Sequence, residues 1–224
     1  WDGSADADNT IFQIYESAIH HNFSNNSTIE GRGTLFLTNS TMAENETFIA
    51  NQWANNIAFS GPVWIQNSTL ITRYPYGNVA IFSHPLKIRN SILMSSLDTQ
   101  PGTYRNCGAY NQLDIISEGG NIFSDNSCNP DPTLHDAVLS YPQARLAPLA
   151  NYGGPSPTIG LLPGSPVIDP FPGKCMITTW LLGEEIDRPL YTDQRGEPRN
   201  DGLCDSGAFE GKINMNLHLP LIRK

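Results

Sequence analysis

The chain has 224 residues, 16% of them charged, and a formal net charge of −9 at pH 7. This length allows one substantial hydrophobic core, whereas the negative charge disfavours nucleic acid as a partner, because nucleic acid requires a basic surface. No apolar run approaches the roughly eighteen residues that a transmembrane helix needs, so the sequence predicts none. The abundance of Asn, Ser, Thr and Gly, with so few charges, is typical of an extracellular β-solenoid.

The first ten residues are acidic and contain Asp2, Asp6 and Asp8. Closely spaced Asp residues can bind calcium, but an EF-hand loop also needs a Glu at its twelfth position. Counted from Asp2 that position is Gln13, and counted from Asp6 it is Ser17. The histidines are scattered along the chain. We therefore interpret this segment as a solvated acidic end, and we predict no metal site and no cofactor.

The strongest signal is a repeat in which a short strand of alternating apolar residues is followed by Asn-Ser and a second apolar step. Its three copies are Leu35–Met42, Val63–Leu70 and Leu86–Leu93. The asparagines of these copies, Asn39, Asn67 and Asn90, are 28 and then 23 residues apart. Repetition at such a period is typical of a solenoid with one coil per repeat, in which the asparagines stack in register and bond along the stack.

The repeat extends in both directions. Glu16 occupies the asparagine position upstream, and Ser117, at the end of a strand over Leu113–Ser117, occupies it downstream. A second strand precedes each main one, and Gly or Pro lies near the corner between them. The sequence therefore predicts an all-β protein, a parallel β-helix with about 23–28 residues per coil, over residues 1–130.

Six asparagines begin Asn-x-Ser/Thr sequons: Asn22, Asn25, Asn26, Asn39, Asn45 and Asn67. Asn39 and Asn67 lie at the repeated position, so a structural role explains those two. If the protein carries glycans, loop positions such as Asn25 or Asn45 are the better candidates.

The four cysteines form two local pairs in the sequence, Cys107 with Cys128 and Cys175 with Cys204. Neither pair has the CxxC spacing of a zinc or redox site. We interpret them as two disulfides outside the regular coils, which implies an oxidising, extracellular compartment. Four cysteines allow three pairings, and the sequence leaves the other two open.

The composition changes after residue 130. Ten prolines lie between residues 130 and 172, and proline excludes regular sheet ladders. We expect residues 131–211 to form an irregular, Pro/Gly-rich and disulfide-tied cap on the end of the β-helix, because an open end of a solenoid favours aggregation. Residues 212–224 form a C-terminal tail.

Four motifs in this region carry a family resemblance. They are Leu146–Thr158 (LAPLANYGGPSPT), Leu162–Asp169 (LPGSPVID), Thr192–Arg199 (TDQRGEPR) and Cys204–Glu210 (CDSGAFE). In this order they resemble the C-terminal signature of the bacterial choice-of-anchor type right-handed parallel β-helix surface proteins, which are akin to polymorphic outer-membrane protein repeats. The resemblance implies a right-handed β-helix at a bacterial cell surface, and it implies no enzyme activity.

Catalytic chemistry has little support in the sequence. A glycosidase needs two carboxylates on one face, yet Glu16 and Asp114 are isolated, and Asp193-Gln-Arg195 has the pattern of a charge-paired turn. We therefore predict no catalytic residue and a non-catalytic secreted or cell-surface protein, a structural subunit or accessory of an extracellular assembly. Two alternatives stay open, a polysaccharide lyase or hydrolase and a carbohydrate-binding module. In the latter, exposed aromatic side chains would stack on sugars: Trp53, Trp64, Tyr74 and Tyr76.

Two apolar segments are candidate contacts with a protein partner. The first is the insertion Met176–Tyr191, in which Ile177, Trp180, Leu181 and Leu182 are candidates and Trp180 is the expected anchor. The second is the tail, with Leu219, Leu221 and Ile222. The alternative for the insertion is that it folds back and fills the cap.

Overall fold

The computed structural model describes residues 10–47, 56–73, 77–81, 85–96, 105–109, 115–181, 183–199 and 201–213. Short strands dominate this part of the chain, and most of them pair in parallel. The all-β prediction is confirmed at this level. Among the described residues, no helix is long and apolar enough to cross a membrane.

Three parallel sheets are built from strands that recur in chain order. The first contains β1 (Ile11–Tyr15), β5 (Thr34–Thr38), β9 (Val63–Gln66), β12 (Leu86–Arg89) and β15 (Ile115–Ser117). The second contains β2 (Ala18–His20), β6 (Thr41–Ala43), β10 (Thr69–Thr72), β13 (Ile92–Ser95), β16 (Ile122–Phe123) and β17 (Ala137–Val138). The third contains β4 (Ile29–Arg32), β8 (Ile57–Ser60), β11 (Val79–Ile81) and β14 (Cys107–Ala109). A smaller parallel pair joins β3 (Phe23–Ser24) to β7 (Glu46–Thr47).

The register of the first sheet follows the sequence repeat. Leu35 pairs with Val63, and Val63 pairs with Leu86. These residues point into the core, together with Leu37, Ile65 and equivalent apolar residues of the other two sheets. Alternate positions, such as Phe36 and Trp64, lie on the outer face of the sheet. One passage of the chain through the three sheets therefore stacks on the next.

The repeated asparagines stack in register, as the repeat predicts. The backbone N–H of Asn39 donates to the carbonyl of Gln66, and that of Asn67 donates to the carbonyl of Arg89. The side-chain amide of Asn90 also donates to Asn67 Oδ1 at 2.8 Å. Each asparagine turns the chain from the first sheet to the second in a left-handed conformation, with φ between 46° and 51°. Asn tolerates this conformation better than most residues, which explains its recurrence.

The sequence placed Glu16 and Ser117 at the asparagine position at the two ends of the repeat, and only the first assignment agrees with the structure. Glu16 has φ 49° and occupies the asparagine position, as expected. Ser117 does not: it pairs with Ile88, and the backbone N–H of Asn90 donates to the carbonyl of Gly119. The acceptor is in each case the residue before the asparagine position, so Gly120, with φ 70°, occupies that position here, and a glycine makes this turn because it adopts positive φ without steric cost.

The serines that follow the asparagine position form a ladder of hydrogen bonds. The sequence repeat contains these serines but does not by itself predict the ladder. Ser17, Ser40 and Ser68 each donate a backbone N–H to the hydroxyl of the serine one passage further along. The accepting hydroxyls, those of Ser40, Ser68 and Ser91, each donate in turn to the carbonyl two residues before their own. The ladder satisfies the buried polar groups at the corner between the first and second sheets.

A second ladder of amide side chains lies before the third sheet. Asn56 Nδ2 donates to Asn78 Oδ1 at 2.7 Å, and Asn78 Nδ2 donates to Asn106 Oδ1 at 2.8 Å. Asn45 continues the ladder, since its Nδ2 donates to Asn56 Oδ1. Asn45 is only 5% exposed, so the expectation that it is a favourable glycan position is wrong. A glycan there would remove a buried hydrogen bond.

Residues beyond 138 add a different layer. Its elements are α1 (Tyr141–Ala144), β18 (Leu146–Ala150), β19 (Thr158–Leu161), β20 (Phe171–Pro172), β21 (Met176–Leu181), β22 (Glu184–Pro189) and β23 (Leu203–Cys204), preceded by a 3₁₀ turn at Pro132–Leu134. The pairs β18–β19, β20–β23 and β21–β22 are antiparallel.

This layer contacts several successive passages along their side. Gly120, at the last of these passages, accepts a hydrogen bond from Ser206, and Asn90 accepts one from Gly207. Thr69 and Thr41, in the two passages before, bond to Ala208 and Thr158. The region that we expected on the end of the stack therefore also covers its flank, and we call it the lateral cover (residues 139–213).

Both expected disulfides are present, Cys107–Cys128 and Cys175–Cys204, and the described residues contain no free cysteine. The expectation that both lie outside the regular coils is wrong for the first, which joins strand β14 of the third sheet to the loop after β16, with both cysteines in the main core. The second lies in the lateral cover, where Cys175 precedes β21 and Cys204 ends β23. Two disulfides are compatible with an oxidising compartment.

Candidate interaction site

A buried ion pair fastens the lateral cover to the asparagine turns. Arg199 Nη1 donates to Glu210 Oε2 at 2.6 Å, and the Arg199 side chain is fully buried. Arg199 Nη2 donates to the carbonyl of Gly207 at 2.8 Å and to Asn39 Oδ1 at 3.3 Å. One guanidinium therefore links two segments of the cover to the parallel sheets.

Asp193, within the motif Asp193-Gln-Arg195, organises the adjacent turn. Its carboxylate is completely buried, forms an ion pair with Arg195 at 2.6 Å and accepts the backbone N–H groups of Glu197 and Glu210. The guanidinium of Arg195 also stacks over the ring of Phe209, 3.5 Å from its centroid. These contacts agree with the interpretation of the motif as a charge-paired turn.

The buried carboxyl groups beside Arg199 have unusual acidities. Burial raises the pKa of Asp205 to about 6 and that of Glu210 to about 8, since desolvation of the carboxylates outweighs their attraction to Arg199. Burial also lowers the pKa of Arg199, although an arginine stays charged. The folded protein thus holds protons on these carboxyl groups at pH values at which the unfolded chain has released them.

We expect the free energy of unfolding to decrease as the pH rises from about 4 to above 8. Glu210 contributes fully below its unfolded pKa of 4.5 and loses this contribution as the pH rises through about 8. Asp205 does the same between 3.8 and about 6. Urea unfolding at pH 5, 7 and 9 measures the slope of the free energy of unfolding against pH. Glu210→Gln, which is neutral at all three pH values, should flatten it between pH 7 and 9, and an unchanged slope would contradict the assignment.

The insertion Met176–Tyr191 forms a β-hairpin, β21–β22, on the outer face of the first sheet. The side chain of Gln66 accepts the backbone N–H of Thr178 and donates to its carbonyl, at 2.6 and 2.8 Å. Asn67 Nδ2 donates to the carbonyl of Met176 at 2.8 Å. Strand β21 therefore lies over β9. The sequence signal for this contact is the polar Gln66-Asn67 step at the end of an otherwise apolar strand.

Two ion pairs fix the second strand of the hairpin. Lys87 Nζ lies 2.7 Å from Glu185 Oε2, and Arg89 Nη2 lies 3.1 Å from Asp187 Oδ2. Lys87 and Arg89 belong to β12, so the face of the hairpin that carries Glu185 and Asp187 is turned toward β12. Arg89 Nη2 also lies 3.0 Å from Glu118 Oε2, and one cation thus serves two carboxylates.

The hairpin buries one of the predicted interface residues and exposes others. Ile177 is 2% exposed and packs with the Cys175–Cys204 disulfide and Leu190. Trp180 and Leu181, at the far end of β21, are 37% and 56% exposed, and Ile186 beside them is 40% exposed. Leu182, Leu219, Leu221 and Ile222 lie outside the described residues. The base of the insertion is therefore buried in the lateral cover, whereas its tip exposes apolar side chains.

The aromatic side chains proposed for sugar stacking are not available in the described part of the chain. Trp64 points outward from β9, as its alternation predicts, but it is only 4% exposed. Its ring stacks on Phe36 at a centroid distance of 4.7 Å, and Lys87 Nζ lies 5.1 Å from its centroid. Trp53, Tyr74 and Tyr76 lie outside the described residues. Trp64 thus presents no free ring face to a ligand.

A groove of about 160 Å³ separates the hairpin from the first two strands of the sheet. Its lining is mixed, with the side chains of Tyr15 and Phe36 on one side and those of Thr179 and Arg188 on the other. The groove is small for a ligand pocket and has no pair of carboxylates on its walls. No group of three or more metal-binding side chains occurs among the residues that the structure describes.

Comparison with family models, curated proteins and solved structures finds no match for this chain.

Proposed function

We propose that this protein is a non-catalytic, extracellular or cell-surface scaffold whose hairpin tip contacts another protein. In this proposal the three parallel sheets form a right-handed parallel β-helix, and the lateral cover holds the hairpin on its flank. The choice-of-anchor resemblance supports a bacterial surface location, and the two disulfides are compatible with that location.

One observation carries the proposal: three large apolar side chains are exposed near the tip of a hairpin whose base is held by several contacts, with Trp180 on one face and Leu181 and Ile186 on the other. Gln66 and Asn67 hold β21, Lys87 and Arg89 hold β22, and the disulfide closes the base. Exposed large apolar side chains that include Trp are typical of a protein interface, because large rigid side chains bury much area at low entropic cost.

The double variant Trp180→Ser/Leu181→Ser tests this proposal. Both side chains are already exposed, so we expect the melting temperature to change little and the association with the partner to be lost. The measurements are thermal unfolding, size-exclusion chromatography, and capture from a cell-surface extract with the immobilised protein.

Leu134→Ser is the matched control, since Leu134 is 39% exposed and lies outside the hairpin. A protein that wild type and the control capture, and that the double variant does not, supports the proposal. A large fall in melting temperature with unchanged association would show instead that the tip is packed filler. Unchanged behaviour in both measurements would contradict the proposed interface.

A further inference from the structure

The two faces of the β21–β22 hairpin are turned toward different strands of the first sheet. Asp187 lies on the face that meets Arg89 of β12. Its neighbours in the chain, Ile186 and Arg188, lie on the opposite face, because successive side chains of a strand alternate. This opposite face borders the groove above β1 and β5, where Arg188 lines the wall and Tyr15 lines the floor. One hairpin face and two strands of the sheet therefore enclose the groove.

Arg188 is an exposed cation on the wall of this groove. Among the residues that the structure describes, no carboxylate lies within ion-pair distance of its guanidinium. Asp187, its neighbour in the chain, pairs with Arg89 on the other side of the hairpin. Glu16, directly after β1, accepts a hydrogen bond from the side-chain amide of Asn39. The described part of the chain thus leaves the positive charge of the groove uncompensated.

Apolar side chains continue the same hairpin face from the groove to the tip. Ile186 pairs with Thr179, and Leu181 lies two residues beyond Thr179 on the same face; both Ile186 and Leu181 are exposed. Tyr15, on the floor, is exposed as well. The volume of the groove, about 160 Å³, provides room for one side chain but is small for a larger ligand. The surface combines an unpaired cation, exposed apolar groups and space for a single inserted side chain.

We propose that this groove binds a segment of a partner protein in which a Glu or Asp is flanked by apolar residues. The carboxylate of the segment enters the groove and accepts a charge-assisted hydrogen bond from Arg188. The apolar neighbours of the acidic residue contact Ile186, Leu181 and Tyr15. This inference rests on the proposed function and names the chemistry of the partner.

The surroundings of Arg188 favour a protein segment over an acidic glycan. A sugar ring needs several free hydrogen-bonding groups around its hydroxyls. The hydroxyl of Thr38 already accepts a hydrogen bond from Gln66. The hydroxyl of Thr179 donates to the carbonyl of Ile186, whose own side chain is aliphatic. A carboxylate with apolar neighbours matches one cation beside aliphatic groups better than a polyhydroxylated ring does.

The test uses the whole protein and a fluorescein-labelled nonapeptide with one central Glu, flanked on each side by Leu and Val and ending in Ser and Gly. We expect saturable binding by fluorescence anisotropy. Replacement of the peptide Glu by Gln, and Arg188→Gln in the protein, should each weaken binding about tenfold, which corresponds to about 1.4 kcal/mol. The two changes together should weaken it no further than either alone, because both remove the same bond.

Lys212→Gln is the matched control, since Lys212 is an exposed cation outside the hairpin. This variant changes the net charge as Arg188→Gln does and should leave binding unchanged. Ile186→Ser should weaken the Glu and Gln peptides by the same factor, because it removes an apolar contact and leaves the charge pair intact. The melting temperatures of the three variants should match that of the wild type, since all three side chains are exposed.

Several results would overturn the proposal. They are absence of binding, equal binding of the Glu and Gln peptides, additive losses when Arg188→Gln meets the Gln peptide, and an equal loss with Lys212→Gln. Self-association of the protein that Arg188→Gln abolishes would overturn it in favour of a second copy as the occupant. Tighter binding of an oligoglucuronate than of the Glu peptide would overturn it in favour of an acidic glycan.

The two proposals fail in different ways. If Trp180→Ser/Leu181→Ser abolishes association with the partner while Arg188→Gln does not, the groove is wrong and the hairpin interface stands. If neither variant affects association, the proposed function itself is wrong.

Discussion

Replacement of Arg199 by Ala is expected to lower the free energy of unfolding by about 3–5 kcal/mol, the cost typical of breaking a buried ion pair. The guanidinium is fully buried, and its removal leaves Glu210 without its partner at 2.6 Å. It also removes the hydrogen bonds to Gly207 and Asn39 that join the lateral cover to the parallel sheets. Urea unfolding monitored by tryptophan fluorescence measures the loss.

Two further variants test whether the loss of stability arises because a buried group is left without its partner or simply because an ion pair is lost. Arg73→Ala removes an exposed ion pair, in which Arg73 Nη2 lies 3.8 Å from Glu44 Oε1 and the arginine side chain is 56% exposed. This variant should lower the free energy of unfolding by no more than about 1 kcal/mol. Arg199→Met/Glu210→Leu replaces the buried pair by apolar side chains and should be less destabilised than Arg199→Ala, because no buried carboxyl group is left without its partner. Equal losses for Arg73→Ala and Arg199→Ala would contradict this account.

Removal of the Cys175–Cys204 disulfide by a double Ser substitution is expected to cost about 2–5 kcal/mol. The bond closes a segment with a sequence separation of 29 and holds the base of the β21–β22 hairpin against β23. Its sulfur atoms are buried beside Ile177, and Asn90 Nδ2 lies 2.8 Å from Cys204 Sγ. Two hydroxyl groups in this apolar cluster would add to the loss.

The location of the effect distinguishes this disulfide from the other. In Cys175→Ser/Cys204→Ser, limited proteolysis should cut between β20 and β23 before the parallel sheets unfold, because the lateral cover is released first. In Cys107→Ser/Cys128→Ser, the cut should occur near the end of the third sheet, since both of these cysteines lie in the main core. Identical cleavage patterns for the two variants would show that neither bond holds a local element.

The sequence predicted the stacking of the parallel strands because the relevant forces repeat at each passage. Residues such as Leu35, Val63 and Leu86 alternate with outward-facing residues, and the Asn-Ser step recurs in three successive passages at the corner between the first and second sheets. A two-residue period and a left-handed asparagine are local properties, so the chain shows them without a partner. The assignment of Ser117 failed at the end of the repeat, where glycine makes the turn.

Other features depended on contacts between distant residues. The amide ladder of Asn56, Asn78 and Asn106 has a sequence signal, an Asn directly before three of the four strands of the third sheet, but a single Asn before a strand has many local explanations. Asn45 joins this ladder from a segment that resembles a surface loop. Only the stacking of passages places these amides within bonding distance.

The sequence by itself determined the all-β character, the register of the repeated asparagines and the apolar nature of the insertion. Only the tertiary structure decided that Ile177 is buried while Trp180 and Leu181 are exposed, because burial depends on what lies opposite each side chain. The same holds for Arg199, whose partners Glu210 and Asn39 are 11 and 160 residues away in the chain. Long-range pairing of charges leaves no periodic signal in a single sequence, whereas the stacking of identical turns does.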